Sequence, residues 1–90
     1  MRSIQSIARN ILALHVGRRG REIRAWHRLG ADLDLTPLEL VLVTLEIEQR
    51  AQVELATDGL EAVETVGDLF AFLSQALAGQ DRARVLDRVA

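Results

Sequence analysis

The sequence predicts a small all-α domain. Ninety residues suffice for one hydrophobic core. Hydrophobic residues make up 49% of the chain and aromatic residues only 3%. The core must therefore consist mainly of Leu, Ile, Val and Ala, which favours helices. Apolar residues also recur at helical spacing in several segments, and residues typical of helix N-termini precede them.

The segment 35–50 carries the most specific helix signal. Thr36 reads as the N-cap, Pro37 as the first helical residue and Glu39 as the third, which together form a capping box. Seven of the ten residues from 38 to 47 are apolar. A helix that is apolar nearly all round is normally buried on several sides. We therefore expect it at the centre of a bundle, with one stripe left over for a partner.

Residues 3–16 form the first predicted helix, which Gly17 closes as a C-terminal cap. His15, near its end, is expected to interact with the helix dipole. A long loop follows from residue 17 to residue 34. Three apolar residues are its expected anchors in the core, and these are Ile23, Trp26 and Leu29.

Charge is segregated along the chain, although the net charge is only −2. Residues 1–30 hold seven Arg and one Glu, whereas residues 31–68 hold ten acidic residues and one Arg. Five of the arginines lie in the long loop, and these are Arg18, Arg19, Arg21, Arg24 and Arg28. They either bind phosphate or are solvated and offset the acidic half. We do not expect nucleic-acid binding, because neither a folded basic face nor an aromatic platform accompanies them.

After an apolar connection over 51–55, the residues from Thr57 to Gly59 are expected to start a brief helix that runs through Val63. Thr65 then caps a further helix, with Asp68 at the capping-box position.

We expect Gly79 to end that helix, and Asp81 to cap a short helical tail with an apolar stripe of Val85, Leu86 and Val89. The predicted organisation is a helical bundle over residues 1–78 and a C-terminal tail over 79–90.

The absence of cysteine excludes disulfides and thiolate metal sites. No apolar run is long enough to span a membrane, and polar residues interrupt the N-terminus, so we expect a soluble, uncleaved, cytoplasmic chain. Metal ligands are not clustered, and no nucleophile, His and Asp constellation is evident. The sequence therefore predicts neither a metal site nor an enzyme.

The stretch from Asp32 to Glu39 reads DLDLTPLE, Val53–Ala56 reads VELA, and Val63–Asp68 reads VETVGD. These stretches and the order of elements resemble the acyl carrier proteins, whose corresponding patterns are D-L-G-x-D-S-L-[DE], I-E-I-P and I-T-T-V-x-D. The resemblance runs without a gap from Ile4 to Leu73. It implies a four-helix acyl-carrier-protein-like bundle with a long first loop. It also implies a core that contains Val41, Ile47, Leu55, Val63, Val66 and Phe70.

The resemblance fails at the serine that is modified in the family. Carrier proteins esterify 4′-phosphopantetheine to the serine of the motif, and here Pro37 occupies that position. Asp34 replaces the glycine of the motif and Thr36 replaces its aspartate. We therefore expect no phosphopantetheine and no other cofactor.

The resemblance also implies a docking surface, since partner enzymes of the family place a basic patch on the acidic second helix. Glu39 and Glu48 keep acidic positions, and Leu42 stands where an acid is usual. Leu38, Leu42 and Leu45 share one helical stripe. Either a local repacking buries this stripe, or it forms an apolar contact surface. The predicted partner-binding residues are Leu38, Glu39, Leu42 and Glu48.

Three functions remain. The first is a carrier-like interaction module that lacks the phosphopantetheine arm. It docks through its acidic second helix to enzymes of an acyl or polyketide pathway, or to a true carrier. Such partners would present a basic or apolar docking patch. The second is an active carrier in fatty-acid or polyketide biosynthesis. The third is an adaptor or dimerisation domain unrelated to acyl chemistry, so a homo-oligomer is also a candidate.

Overall fold

The computed structural model describes residues 3–55 and 58–89, with side chains through residue 78. Three α-helices, α1 (Ile4–Val16), α2 (Pro37–Ala51) and α3 (Val66–Val89), are joined by segments that include 3-10 turns at Gly20–Glu22 and Leu60–Ala62. No strand occurs in the described ranges. The all-α prediction is therefore confirmed, as a globule of three helices with 3-10 turns. No helix in those ranges combines the length and the apolar character needed to cross a bilayer.

Both predicted ends of α1 are confirmed. The Ser3 hydroxyl accepts a hydrogen bond from the Ser6 amide at 3.1 Å and so caps the first turn. Gly17 adopts φ 70°, and its amide donates to the Ala13 carbonyl. A residue without a Cβ reaches this left-handed conformation without strain, so the chain leaves the helix at the predicted residue.

The starts of α2 and α3 are also as predicted. The Thr36 hydroxyl accepts from the Glu39 amide at 3.1 Å, and the Glu39 carboxylate accepts from the Thr36 amide at 3.2 Å. Thr65 and Asp68 exchange the same pair of bonds at the start of α3. Two capping boxes therefore satisfy amides that have no partner within their own helix.

Two predicted elements differ. The brief helix is only the 3-10 turn Leu60–Ala62, preceded by Gly59 at φ 87°. Its predicted cap, Thr57, lies outside the described residues. The predicted end of the last helix at Gly79 is wrong, because α3 continues to Val89. A glycine inside a helix costs only about 1 kcal/mol relative to alanine, so it stops a helix only where the backbone turns left-handed. The side chains of the predicted tail stripe are not among those described.

The central position falls to α1 rather than to α2. Among the described residues, the backbone of α1 lies close to those of both other helices, whereas the backbones of α2 and α3 approach each other closely at few positions at most. Of the predicted core, Ile47, Leu55 and Val66 are buried. Val41, Val63 and Phe70 are half-buried against that core.

A side chain of α1, Arg9, holds the long loop against the bundle. The Arg9 guanidinium donates to the carbonyl oxygens of Gly20, at 3.3 Å, and Ile23. It also lies over the Phe70 ring, 5.4 Å from the ring centroid. Ile23 is buried, as is Leu29 further along the loop, so two of the three predicted anchors are confirmed.

The third predicted anchor is wrong, because 70% of Trp26 is exposed. The His27 amide donates to the Arg24 carbonyl at 3.1 Å, and the Arg24 amide donates to the His27 ring at 2.9 Å. These bonds close a tight turn with Trp26 inside it. The hydrogen bonds on both sides of Trp26 hold its backbone in this turn, and its indole lies at the surface.

The first prediction concerns the capping box of α3. Bonds from the Glu64 and Thr65 amides lower the pKa of Asp68 below its ordinary value of 3.8. The stabilisation is therefore complete above that pH and is lost as the pH falls through the lowered pKa. Asp68→Asn keeps an oxygen acceptor but does not titrate. The wild type should melt higher than the variant at about pH 6, and this difference should shrink at about pH 2.5. Circular dichroism melts measure it, and a difference that stays constant with pH would contradict this role.

Candidate docking surface

Three leucines on one side of α2 are exposed to solvent. The exposed fractions are 69% for Leu38, 46% for Leu42 and 44% for Leu45. Their spacing of four and then three residues aligns them along one stripe of the helix. We call Leu38, Leu42 and Leu45 the leucine stripe. No local repacking buries it within the described part of the chain.

The opposite face of α2 enters the core through Leu40, Val43, Thr44 and Ile47. Thr44 is fully buried, and its hydroxyl donates a hydrogen bond to the Leu40 carbonyl at 2.9 Å. The helix thus buries a hydroxyl while it exposes three leucines. The helix therefore carries apolar residues on two faces, and an exposed apolar stripe with polar neighbours is typical of an interaction surface.

Acidic side chains border the leucine stripe. Glu39 and Glu46 lie one turn before and after Leu42, and Glu48 lies one turn after Leu45. All three are half-buried rather than fully exposed. The surface therefore has an apolar centre and a negatively charged rim.

Each acid at the rim also has a partner within the molecule. Glu39 belongs to the capping box of α2. Glu48 accepts from the Leu55 amide at 2.9 Å and so holds the connection that follows the helix. Glu46 lies 3.0 Å from the His15 ring nitrogen of α1. Glu39 and Glu48 were predicted at this surface and Glu46 was missed, although its spacing of four residues from Leu42 places it there; its contact with His15 joins residues that are distant in the sequence.

The N-terminal end of α2 lies beside an open pocket of ≈480 Å³. Pro37 is exposed at this end as the first residue of the helix. Asp34, three residues earlier, adopts φ 58°. The pocket has leucine and valine walls, and its lining includes Leu29, Leu35, Leu40, Leu60 and Val63 together with Arg28, Glu61 and Glu64.

The predicted modification position offers no nucleophile. Pro37 has no hydroxyl, and the Thr36 hydroxyl is engaged with the Glu39 amide. The chain has three serines, and none lies at the start of α2. Ser3 caps α1, Ser6 lies on α1 and Ser74 lies on α3. A larger open pocket of ≈700 Å³ lies at the other end of α2, beside Arg50 and Ala51, and contains none of the predicted site residues.

The second prediction separates the structural role of Glu48 from its place at the rim. Glu48→Ala should lower the free energy of unfolding by about 1–3 kcal/mol, because it leaves the amide of the buried Leu55 without an acceptor. Glu48→Gln keeps an oxygen acceptor and should stay close to the wild type. Urea denaturation measures the free energy of unfolding of both variants, provided that its dependence on urea concentration has the same slope as in the wild type. Equal stabilities for the two variants would mean that the bond contributes nothing.

The chain was compared with models of protein families and with curated proteins, and neither comparison found a match.

Proposed function

We propose that this chain is an acyl-carrier-protein-like interaction module that docks to enzymes of an acyl or polyketide pathway, or to a true carrier, without a phosphopantetheine arm. The observation that carries the proposal is the exposed leucine stripe with its acidic rim on the helix that corresponds to the docking helix of carrier proteins. The module would act in the cytoplasm, where such pathways operate.

The order of elements supports the resemblance. A helix, a long anchored loop, a second helix with a capping box, a short turn and a last helix follow one another as in a carrier bundle. The 3-10 turn Leu60–Ala62 takes the place of the third, shortest helix of the family, so the four-helix description is proposed in this reduced form.

The backbone at Asp34 supports the alignment of the motif. The family has glycine at this position, and here the residue adopts φ 58°. Left-handed backbone costs roughly 1–2 kcal/mol for most residues but is open to glycine and tolerated by aspartate. A left-handed residue at the glycine position of the motif supports the proposed register. In that register Pro37 stands at the position of the modified serine.

The chemistry of a docking partner follows from the surface. A partner needs an apolar centre to cover the leucine stripe and basic side chains to meet Glu39, Glu46 and Glu48. The apolar contact would supply most of the affinity, whereas the charges would mainly accelerate association and select partners.

Two alternatives remain. An active carrier would require a modified side chain other than that of Pro37. An adaptor unrelated to acyl chemistry would use the same stripe with other partners. Ketosynthase or ligase genes beside the gene of this protein would favour the carrier-like module over the adaptor.

The third prediction tests the docking surface with a purified ketosynthase and a purified phosphopantetheinylated carrier protein as probes. The wild type should bind at least one probe, and Leu42→Glu should weaken binding by about tenfold or more because it places a charge at the apolar centre. Its melting temperature should hardly change, since Leu42 is exposed. Raising salt should mainly slow association, which surface plasmon resonance resolves.

Leu14→Glu is the matched control, because it adds the same charge at a leucine of α1 that is 71% exposed. It should bind like the wild type. Failure of the wild type to bind either probe, or equal weakening by both variants, would remove the support for docking through the leucine stripe.

The fourth prediction concerns the arm. Incubation with coenzyme A and a broad-specificity phosphopantetheinyl transferase should add no mass, because position 37 offers no hydroxyl. Pro37→Ser should fold, with a loss of about 0.4–1 kcal/mol from the freer unfolded chain, and should be modified poorly. Restoring glycine at 34 and aspartate at 36 together with the serine should raise the yield. Intact-protein mass spectrometry measures all three proteins, and a mass gain in the wild type would favour the active carrier.

A further inference from the structure

The turn that contains Trp26 is a second exposed feature, and the proposed docking through α2 does not use it. We call residues 24–28 the Trp26 turn. Its backbone is bonded to the start of α3, where the Gly67 amide donates to the Ala25 carbonyl at 2.8 Å and the Val66 amide donates to the His27 carbonyl at 3.0 Å. A Cβ at Gly67 would meet the Ala25 carbonyl at 3.2 Å, so the turn lies directly against the helix.

The fold therefore presents the indole of Trp26 on a rigid support. The His27 ring lies beside it, 4.2 Å between centroids at an angle of 49°, and leaves 70% of Trp26 exposed. Tryptophan has only two side-chain torsions, so a large contact area is gained for a small loss of conformational entropy on binding. Tryptophan and arginine are also the residues most enriched where interface binding energy concentrates.

Two arginines of the Trp26 turn, Arg24 and Arg28, are exposed beside the indole in sequence, and the Asp32 carboxylate accepts from the Arg28 amide at 2.7 Å. All five arginines of the long loop are exposed, and they are Arg18, Arg19, Arg21, Arg24 and Arg28. None of them pairs with a carboxylate among the side chains that are described. The arginines are thus available to an acidic partner, and direct ion pairs with the described acids of the same chain do not occupy them.

We propose that the Trp26 turn of one molecule binds the leucine stripe of a second copy of this chain. The two surfaces are complementary in apolar contact and in charge. The Trp26 turn has an apolar residue beside basic side chains, and the leucine stripe has apolar residues beside acidic side chains. Neither surface suits a copy of itself. A two-fold contact between leucine stripes would bring acid against acid, and one between Trp26 turns would bring arginine against arginine.

The contact joins two different surfaces, so it is head-to-tail. Each added copy leaves one free Trp26 turn and one free leucine stripe, and assembly grows until a ring closes or dilution stops it. Self-association also covers the surface proposed for docking to enzymes, and so competes with that docking. The inference itself does not require an enzyme partner.

Sedimentation velocity on the full chain over a range of concentrations tests the proposal. The wild type should associate, and added salt should weaken the association. Trp26→Ala and Leu42→Glu should each weaken it by about tenfold or more, because each variant removes one half of the contact. Leu14→Glu should associate like the wild type. Circular dichroism checks that the variants are folded.

The decisive sample is an equimolar mixture of Trp26→Ala and Leu42→Glu. The first keeps an intact leucine stripe and the second an intact Trp26 turn, so the mixture should form a one-to-one dimer that does not grow. Association by Trp26→Ala alone at the wild-type level, or no dimer in the mixture, would overturn the proposal. A wild type that stays monomeric up to about 1 mM would also overturn it.

The last measurement is the binding of a labelled single-stranded DNA oligomer. Binding by a monomeric wild type that Trp26→Ala abolishes would assign the turn to nucleic acid and overturn self-association. The outcomes also separate the two proposals. Because assembly covers the leucine stripe, docking to the ketosynthase and carrier probes is measured with Trp26→Ala, which keeps the stripe uncovered. Assembly of the wild type without probe binding by Trp26→Ala leaves this inference standing and removes the proposed function, and the reverse result does the opposite.

Discussion

The packing of α1 against both other helices determines which surfaces this protein can offer. Ala8, Ile11 and Leu12 of α1 are fully buried. Among the described residues, α2 lies close to α1 and has one buried face. That face takes Val43 and Ile47, and the leucine stripe is left on the outside. An apolar helix in a bundle of this size is therefore buried on one side, and its remaining apolar residues form a surface.

A single arginine links the loop to this framework. Arg9 lies on α1, yet its guanidinium satisfies carbonyl oxygens of the loop and covers the Phe70 ring of α3. Charged hydrogen bonds of this kind contribute more than neutral ones. The loop is consequently ordered by polar bonds at one end and by its contact with α3 at the other, so that only Ile23 and Leu29 need to reach the core. This division leaves Trp26 free for contact with another molecule.

Under the proposed resemblance to carrier proteins, the residues at the motif keep the local structure of the helix start without the chemistry of the family. Thr36 keeps an N-cap, Pro37 keeps a suitable first helical residue, and Asp34 holds the left-handed backbone that glycine would adopt. All three residues are compatible with the entry of the chain into α2. Pro37 has no hydroxyl to esterify, and the Thr36 hydroxyl accepts from the Glu39 amide. The proposed function rests on this contrast. In that proposal, the retained helix start positions α2 for docking although no phosphopantetheine arm is attached to it.

The sequence by itself determined the helix starts, the C-cap at Gly17 and the two anchors Ile23 and Leu29, because a capping box, a left-handed glycine and apolar spacing depend on residues close together in the chain. It could not show that α3 runs through Gly79, because a glycine ends a helix only when the backbone around it turns. The tertiary structure alone decided that Trp26 stays outside, that the leucine stripe is uncovered and that His15 meets Glu46. Each of these outcomes depends on which elements lie side by side, and contacts between distant residues leave no periodic or local signal in a single sequence.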